Sequence, residues 1–275
     1  MLADQPDPIA WTDGLSDADR RQLAPRLLTQ LLLGEPVEVV DEDGDWVKVV
    51  APWQPSSLNS QGYPGWVRRA HVAAAPAIAS HDVVVTARTA TLYDDADLIG
   101  VTGEASYATL LPLVEQADTA VGVHLPGARI GWLDASACLV RTTPAHRDPT
   151  TVTRDDLLTE ARRFTDLGYL WGGTSAFGLD CSGLVHITYR RLGGIVPRDA
   201  HDQASAAFRL PRPEAQPGDL YFFQRDGKSI HHVAIALDEP NHVLHAANFK
   251  AVVSEVLNDE RRATLLPDAG RFAIG

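Results

Sequence analysis

The sequence predicts two small all-β units followed by an α+β domain. Three observations lead to this expectation: an early hairpin pattern, a partial repeat of that pattern further along the chain, and a change to helical spacing after residue 150. With 275 residues, the chain is long enough for two ordinary domains, or for one catalytic domain with small modules attached. Apolar residues make up 45% of it and charged residues 22%, which is enough to bury a core.

The first β unit is predicted over residues 26–77, after an N-terminal arm of residues 1–25. Residues 37–40 and 46–50 are rich in Val and flank an acidic run with a glycine at 41–45. Two β-rich runs around such a short turn are typical of a hairpin. The tripeptide Gly-Trp-Val at 65–67 follows after a polar loop and predicts another strand.

The second β unit is predicted over residues 80–142. Its strand signals are Leu-Pro-Leu-Val at 111–114, Ala-Val-Gly-Val at 120–123 and Gly-Trp-Leu at 131–133. The last of these resembles residues 65–67, so we interpret the two units as a degenerate repeat of one small all-β fold.

The third domain is predicted over residues 150–275, after a polar linker with prolines at 142–151. Thr153 is a candidate N-cap, and the apolar residues after it recur at helical spacing. A second helix is predicted at 180–192, ended by two glycines. A run of strands follows, at 220–223, 233–237, 243–246, 252–256 and 272–274, and helices followed by strands predict an α+β domain.

Charge and composition exclude several classes of function. The formal net charge of −12 argues against general binding to nucleic acid or to an anionic membrane surface. No apolar stretch approaches the roughly 20 residues that span a bilayer. Two cysteines exclude a disulfide scaffold and a four-cysteine zinc site. The first residues lack the features of a secretory signal, so we expect a cytoplasmic protein.

Cys181 is the candidate nucleophile. A Gly-rich bend precedes Asp180, a good N-cap, which places Cys181 at the first position of the predicted helix. The helix dipole favours a thiolate there, and nearby backbone N–H groups could hold an oxyanion. A buried apolar role is the alternative for a lone cysteine; it suits Cys138, which lies in an apolar run, and it stays open for Cys181.

Two histidines are candidates for the base and for the group that orients it. With the period-two alternation of a strand, His232 shares a face with Ala234 and Ala236, while His231 points to the other face. His245 lies on the next predicted strand, about 4.8 Å away if the two strands are neighbours. We therefore expect His232 to act as the base and His245 to orient it.

A zinc site is the rival interpretation of this cluster, because His is a common metal ligand. Within the pairs His231/His232 and His242/His245 the two members face apart on a strand, and no acidic residue has a usual ligand spacing. The sequence therefore predicts no metal. We expect the remaining histidines to be surface or packing residues: His71, His81, His124, His146 and His186.

Several segments, taken in order, resemble the NlpC-type cysteine peptidases, which are papain-like murein peptidases that cut bonds to D-glutamate. The segments are Trp-Gly-Gly at 171–173, Asp-Cys-Ser-Gly-Leu-Val at 180–185, Pro-Gly-Asp-Leu at 217–220, His-Val-Ala-Ile at 232–235 and His-Ala at 245–246. The resemblance covers residues 150–275 and implies a papain-like α+β fold. It also implies that Cys181 is the nucleophile, His232 the base and His245 the third polar residue. The preceding units resemble bacterial SH3-like barrels, which accompany such enzymes.

The three-part arrangement is similar to that of γ-D-glutamyl-L-diamino acid endopeptidases of the dipeptidyl-peptidase VI type. In that subgroup the first barrel closes the cleft, and free murein peptides that begin with L-Ala-γ-D-Glu are trimmed in the cytoplasm. The resemblance implies that Glu35 and Tyr63 contact the free amine of the substrate. It further implies binding positions beside the nucleophile, at Asp180 and Ser182.

Residues 197–203 resemble the Arg-Asp-Ser-x-x-Gln segment of the same subgroup, which implies further binding positions at Asp199 and Ala200. Because Ala200 stands where the subgroup has Ser, only a backbone contact is expected there.

The expected activity is therefore a cysteine peptidase that hydrolyses the γ-D-glutamyl–diamino acid bond of free murein peptides in cell-wall recycling. We expect no cofactor and no nucleic-acid or membrane partner. Two alternatives stay open: a non-catalytic module that binds murein or another peptide, and a papain-like amidase or acyl-transfer enzyme.

Overall fold

The computed structural model describes residues 14–23, 26–142, 152–247 and 250–273. The predicted linker at 142–151, apart from residue 142, and most of the predicted arm at 1–25 lie outside these described residues. The chain divides into two compact units. The described part of the first unit is 31–53 and 58–142, and that of the second is 14–23, 26–30, 54–57, 152–247 and 250–273.

The first unit is all-β and contains two antiparallel sheets. One has the strand order β1-β2-β3, and the other has the order β10-β4-β7-β8-β9-β5-β6. The strands are β1 Glu38–Asp43, β2 Trp46–Ala51, β3 Tyr63–Arg68, β4 His81–Val85, β5 Thr89–Tyr93, β6 Val101–Ser106, β7 Leu110–Gln116, β8 Ala120–Leu125, β9 Arg129–Asp134 and β10 Cys138–Thr142.

The predicted hairpin is confirmed, with a tighter turn than the sequence suggested. Strand β1 continues through Asp43, which pairs with Trp46, so that only residues 44–45 form the turn. The acidic residues belong to the strand because β1 is exposed along its whole length. An edge strand tolerates such charges, which also discourage pairing with other chains.

The repeat predicted from the Gly-Trp-aliphatic segments has a structural counterpart. Residues 65–67 lie in β3 and residues 131–133 lie in β9. A 3₁₀ helix follows each of these strands directly, Arg69–His71 after the first and Ala135–Ala137 after the second. The two similar segments thus form the same local structure, a strand that leads directly into a 3₁₀ helix.

The second unit combines helices with a six-stranded antiparallel sheet of order β13-β18-β14-β15-β16-β17. Its helices are α1 Asp17–Leu23, α2 Arg154–Arg162, α3 Cys181–Arg191, α4 Ala200–Ala206 and α5 Asp259–Arg262. Its strands are β11 Thr174–Ser175, β12 Gly178–Leu179, β13 Phe208–Pro211, β14 Leu220–Gln224, β15 Ile230–Ala236, β16 His242–Ala246, β17 Val252–Val256 and β18 Leu265–Arg271. None of the described helices combines the length and the apolar character needed to cross a bilayer.

Both predicted helices of this unit form, and side-chain caps hold their first turns. Helix α2 begins after Thr153, whose hydroxyl accepts the Asp156 N–H while the Asp156 carboxylate accepts the Thr153 N–H. This capping box satisfies two donors that a helix start otherwise leaves without partners. Helix α3 begins at Cys181 and ends at Arg191, close to the predicted bounds.

The last predicted strand, at 272–274, is wrong; the strand is Leu265–Arg271, and residue 274 lies outside the described residues. Pro267 and Gly270 are residues that favour turns and loops, and they interrupt the strand pattern of this stretch. Gly270 is required by a close approach, because a Cβ atom there would lie 2.7 Å from the Phe222 ring and 2.8 Å from the Ala207 Cβ. Helix α4 and strand β13 were not predicted.

Candidate active site

Cys181 is the first residue of α3, and the side chain of Asp180 fixes the start of that helix. Asp180 Oδ1 accepts the Gly183 N–H at 2.7 Å, and Oδ2 accepts the Gly172 N–H at 2.9 Å. The cap therefore joins the helix to the Gly-rich bend before it. Gly183 must lack a side chain, because a Cβ atom there would lie 1.9 Å from the carbonyl oxygen of Gly173.

A buried ion pair stabilises the Asp180 carboxylate. Arg198 is fully buried and donates from Nη2 to Asp180 Oδ2 at 2.8 Å and from Nη1 to Oδ1 at 3.1 Å. The same Nη1 donates to the Ser182 hydroxyl at 3.0 Å. The two-pronged geometry is the strong form of an Arg–carboxylate pair, and it ties both neighbours of Cys181 to one guanidinium.

Arg198 is itself fixed by residues that are distant in sequence. Its Nε donates to the Thr29 hydroxyl at 3.0 Å, and its backbone N–H donates to the Pro55 carbonyl at 3.0 Å. Gln203 in α4 donates from Nε2 to the carbonyls of Ser182 at 3.0 Å and Pro197 at 2.8 Å. These contacts leave the guanidinium little freedom to move away from the start of α3.

The two candidate histidines are hydrogen-bonded to each other. His232 Nε2 lies 2.7 Å from His245 Nδ1, and both rings are buried, at 5% and 0% exposure. His245 Nε2 in turn lies 3.1 Å from Glu255 Oε1. His231 is exposed, as the strand alternation predicts. The arrangement is a line of polar groups that ends on a carboxylate.

Strand register explains why these three side chains meet. Ala236 pairs with Val243 and Ile235 with Leu244, which brings His232 and His245 close together on adjacent strands β15 and β16. His245 pairs with Val253 on β17, and Glu255 is two residues further along the same face. A diagonal cross-strand neighbour is within reach of a long side chain such as Glu.

The thiol of Cys181 lies against strand β15. The backbone N–H of Val233, the residue after His232, is close enough to the sulfur to lower the pKa of the thiol, as is the N–H of Ser182. Because His232 Nε2 is engaged by His245, Nδ1 is the ring nitrogen that remains for the thiol. The Gly183 N–H is used by the cap, so an oxyanion would take N–H groups earlier in the helix, such as that of Ser182.

Burial decides the protonation of this pair. It raises the pKa of Cys181 to about 12, with the charge of Asp180 acting in the same direction, and these effects outweigh the Val233 and Ser182 N–H groups. Burial also lowers the pKa of His232 well below 6.5, and the positive charges of His245 and Arg261 add to the effect. Low-dielectric surroundings penalise both charges, so burial favours the uncharged thiol and imidazole and opposes the thiolate that the helix dipole favours.

We expect the free enzyme to show no thiolate absorbance from Cys181 at neutral pH. A thiol whose pKa is raised stays protonated below that pKa, so the thiolate signal should appear only in strongly alkaline solution. The measurement is the ultraviolet difference spectrum between the wild type and Cys181→Ser during a pH titration. A signal of the wild type alone that is complete by neutral pH would show a preformed thiolate–imidazolium pair instead.

Tyr169 is a site residue that the sequence reasoning missed. It is 4% exposed and lies near enough to Cys181 and Asp180 that, after burial, their charges raise the pKa of its phenol further. The phenol is therefore protonated and can donate a hydrogen bond near the Cys181 thiol. The signal in the sequence was its position just before the Trp-Gly-Gly segment. Arg198, Gln203 and Glu255 were also missed as functional residues.

The other predicted binding residues fall in different places. Glu35 and Tyr63 belong to the first unit and are buried, at 8% and 5% exposure. Glu35 Oε2 accepts the Leu32 N–H at 3.0 Å, so this carboxylate is hydrogen-bonded as well as buried. Asp199 and Ala200 belong to the second unit, at the start of α4, where Ala200 is buried.

The histidine cluster does not converge as a zinc site would. His232 and His245 bond to each other, and His242 bonds to the Ser254 hydroxyl at 2.9 Å instead. Within the described ranges, the group with metal-ligating atoms within 4.8 Å of one another is Asp199, His201 and Asp202. The Ser57 N–H already donates to Asp202 there, at 2.9 Å.

Comparison with known families matches all three parts of the chain. The model of the NlpC/P60 family matches residues 166–265, which contain the cysteine and both histidines of the site. The model of the bacterial SH3 domain matches residues 26–73, and that of the YKFC SH3b2 domain matches residues 85–140.

Two curated proteins are similar to most of the chain. A γ-D-glutamyl-L-lysine dipeptidyl-peptidase of Bacillus cereus is 37% identical over 84% of this chain and 71% of its own length. A protein of the same name from Bacillus subtilis is 35% identical over 75% of this chain and 68% of its own length.

A solved structure extends the similarity to nearly the whole chain. The crystal structure of an NlpC/P60 family protein from Bacillus cereus superposes with a TM-score of 0.88, at 32% identity, and covers 97% of this chain and 90% of the other.

Proposed function

Because the chain belongs to the NlpC/P60 family of peptidases, we propose that it hydrolyses the bond between γ-D-glutamate and a diamino acid in free murein peptides that begin with L-Ala. The observation that carries the proposal is the position of Cys181 at a capped helix start, beside the strand β15 that holds His232, which is hydrogen-bonded to His245 on β16. The names of the two curated relatives support a γ-D-glutamyl-L-lysine bond.

The proposed reaction begins with proton transfer from Cys181 to His232. His232 Nδ1 takes the thiol proton as Sγ attacks the γ-carbonyl carbon of D-glutamate, and a tetrahedral oxyanion forms. Backbone N–H groups at the start of α3 and the Tyr169 hydroxyl are donors near the Cys181 thiol, and we propose that they stabilise that charge. These donors stabilise the oxyanion strongly because the site is buried and water does not screen the interaction.

The second half of the reaction reverses these roles. The imidazolium of His232 gives its proton to the amine of the diamino acid, which leaves as the C–N bond breaks. Water then attacks the thioester while His232 accepts a proton, and the glutamyl carboxylate departs as the thiol re-forms. His245 holds the His232 ring throughout, through the 2.7 Å bond between them.

Recognition of the free amino terminus is the finer part of the proposal. A substrate α-ammonium needs an anionic partner in a water-poor pocket, and Glu35 is a buried carboxylate. We infer that Glu35 binds the ammonium and that Tyr63 contacts it. This selection would limit the enzyme to peptides already released from the wall, as recycling in the cytoplasm requires.

A panel of four substrates tests the proposal. We expect release of L-Ala-D-Glu from the free tripeptides ending in L-lysine or diaminopimelate, and none from the N-acetylated tripeptide or from intact wall, because acetylation removes the ammonium charge. Mass spectrometry of the products is the measurement. Rapid cleavage of the acetylated peptide would remove the proposed role of Glu35, and absence of cleavage of all four would remove the proposed activity.

A matched pair of variants isolates the amine contact. Glu35→Gln should raise KM for the free tripeptide by about 10-fold or more, since a charge-assisted hydrogen bond is lost. Glu38→Gln makes the same change on exposed β1 and should leave KM unaltered. Equal KM values for the two variants would contradict the assignment of Glu35.

A further inference from the structure

The carboxylate of Glu255 ends the line of hydrogen-bonded groups that runs from His232 through His245. Its Oε1 lies 3.1 Å from His245 Nε2 and 3.4 Å from Arg261 Nε. Within the described residues, Glu255 is the one charged side chain hydrogen-bonded to either catalytic-site ring. It stands at the exposed end of the line, with 39% of its side chain accessible, while both imidazoles are buried.

The donors and acceptors along this line determine which ring nitrogens carry protons. A neutral imidazole has one N–H donor and one bare nitrogen acceptor, and an ionised carboxylate only accepts. Glu255 therefore selects the His245 form with the proton on Nε2, which leaves His245 Nδ1 bare. The bare Nδ1 then requires a proton on His232 Nε2, across the 2.7 Å contact. His232 Nδ1 is left bare, and it is the nitrogen that must accept the proton of Cys181.

We propose that Glu255 is a positioning residue that sets the tautomers of His245 and His232, so that His232 presents an unprotonated Nδ1 to Cys181. A His–His pair alone does not favour either arrangement of tautomers, because a proton on His245 Nδ1 and a bare His232 Nε2 form the same hydrogen bond equally well. In that reversed arrangement His232 carries its proton on Nδ1 and cannot act as a base. The catalytic consequence rests on the proposed peptidase function, whereas the tautomers do not.

Replacing the carboxylate of Glu255 with a hydrogen-bond donor should reverse the tautomers of both histidines. Glu255→Lys places an ammonium, which only donates, next to His245 Nε2, and the position is exposed enough to accommodate the longer side chain. Glu255→Ala removes the acceptor that favours one tautomer of His245, and it should give a mixture of tautomers. Glu260→Lys is the matched control, because it makes the same charge change at an exposed site on the neighbouring helix α5.

Nitrogen-15 NMR of the full chain, labelled at histidine, reads the tautomers directly. In the wild type and in Glu260→Lys we expect both rings to be protonated at Nε2. In Glu255→Lys we expect the proton of His232 on Nδ1, with the signals assigned by comparison with His232→Gln. The proposal is overturned if the His232 tautomer is the same in Glu255→Lys as in the wild type.

Kinetics supply the second readout. A base held in the wrong tautomer should lower kcat of Glu255→Lys by about 100-fold or more with little change in KM, because substrate contacts remain. Glu255→Ala should lie between the wild type and Glu255→Lys. If the tautomers reverse and kcat does not change, the proposed base is wrong although the role of Glu255 in setting tautomers stands. If the wild type cleaves no murein peptide, the proposed function fails while the NMR result still decides the present inference.

Discussion

Replacing Cys181 with Ala is expected to abolish peptide cleavage, with a loss in kcat on the order of 10⁴-fold or more, as for other enzymes that lose their nucleophile. The mechanism proposed here has no second group that could form the acyl intermediate. KM should change little, because the side chains proposed to bind the substrate remain in place. The measurement is the steady-state release of L-Ala-D-Glu from the free tripeptide.

Cys138→Ala is the matched control, since it removes the other cysteine of the chain. Cys138 lies half-buried on β10 in the first unit, and burial raises the pKa of its thiol to about 12. This variant should keep its kcat. In alkaline solution, where the Cys181 thiolate begins to form, iodoacetamide should inactivate both the wild type and Cys138→Ala, and tripeptide should protect against that inactivation. Near-normal cleavage by Cys181→Ala would end the proposed mechanism.

Replacing Arg198 with Met should both destabilise the second unit and remove activity. The Asp180 carboxylate would remain buried with its backbone N–H partners but without its counter-charge. Breaking one side of a buried ion pair costs about 3–5 kcal/mol. The same change removes the guanidinium that ties Asp180 and Ser182 together, so that Cys181 between them is held less firmly beside β15. Urea denaturation and kcat per folded molecule are the two measurements.

Arg271→Met is the control for this second experiment. Arg271 also donates to a buried carboxylate of the same unit, that of Asp219, at 2.7 Å and 2.8 Å. Asp219 would still form its ion pair with Arg154 at 3.0 Å. The free energy of unfolding should therefore fall less than in Arg198→Met. The kcat of the folded fraction should match the wild type. Wild-type stability and kcat in Arg198→Met would show that the ion pair positions nothing.

Much of the candidate site could be predicted because its signals are local. Asp180 followed by an apolar stripe identifies a helix start, and the cap seen in the structure is made by the same residues. The alternation of buried and exposed residues separated His232 from His231 before any contact was known. The hairpin around residues 44–45 and the capping box at Thr153 are equally short-range, since each involves residues only a few positions apart.

The contacts that tune the site could not be predicted in this way. Arg198 reaches Asp180, Thr29 and Pro55 from distant parts of the chain. Glu255 reaches His245 because of one particular strand register, and a shift by one residue would turn its side chain to the other face. The prediction of the last strand was wrong for the same reason, because long-range contacts decide where that strand lies. The pairing of β18 with β14 and β13 outweighs the loop preference of Pro267 and Gly270.

The sequence by itself determined which residues we propose to carry the chemistry: a capped cysteine and two histidines on successive strands. Only the tertiary structure decided how those groups are protonated and held. The helix start favours a thiolate, but burial of Cys181 outweighs that preference, and burial is a property of the whole packed domain. Local backbone hydrogen bonding is encoded within a few residues, whereas desolvation and long-range ion pairs exist only once the chain has closed around them.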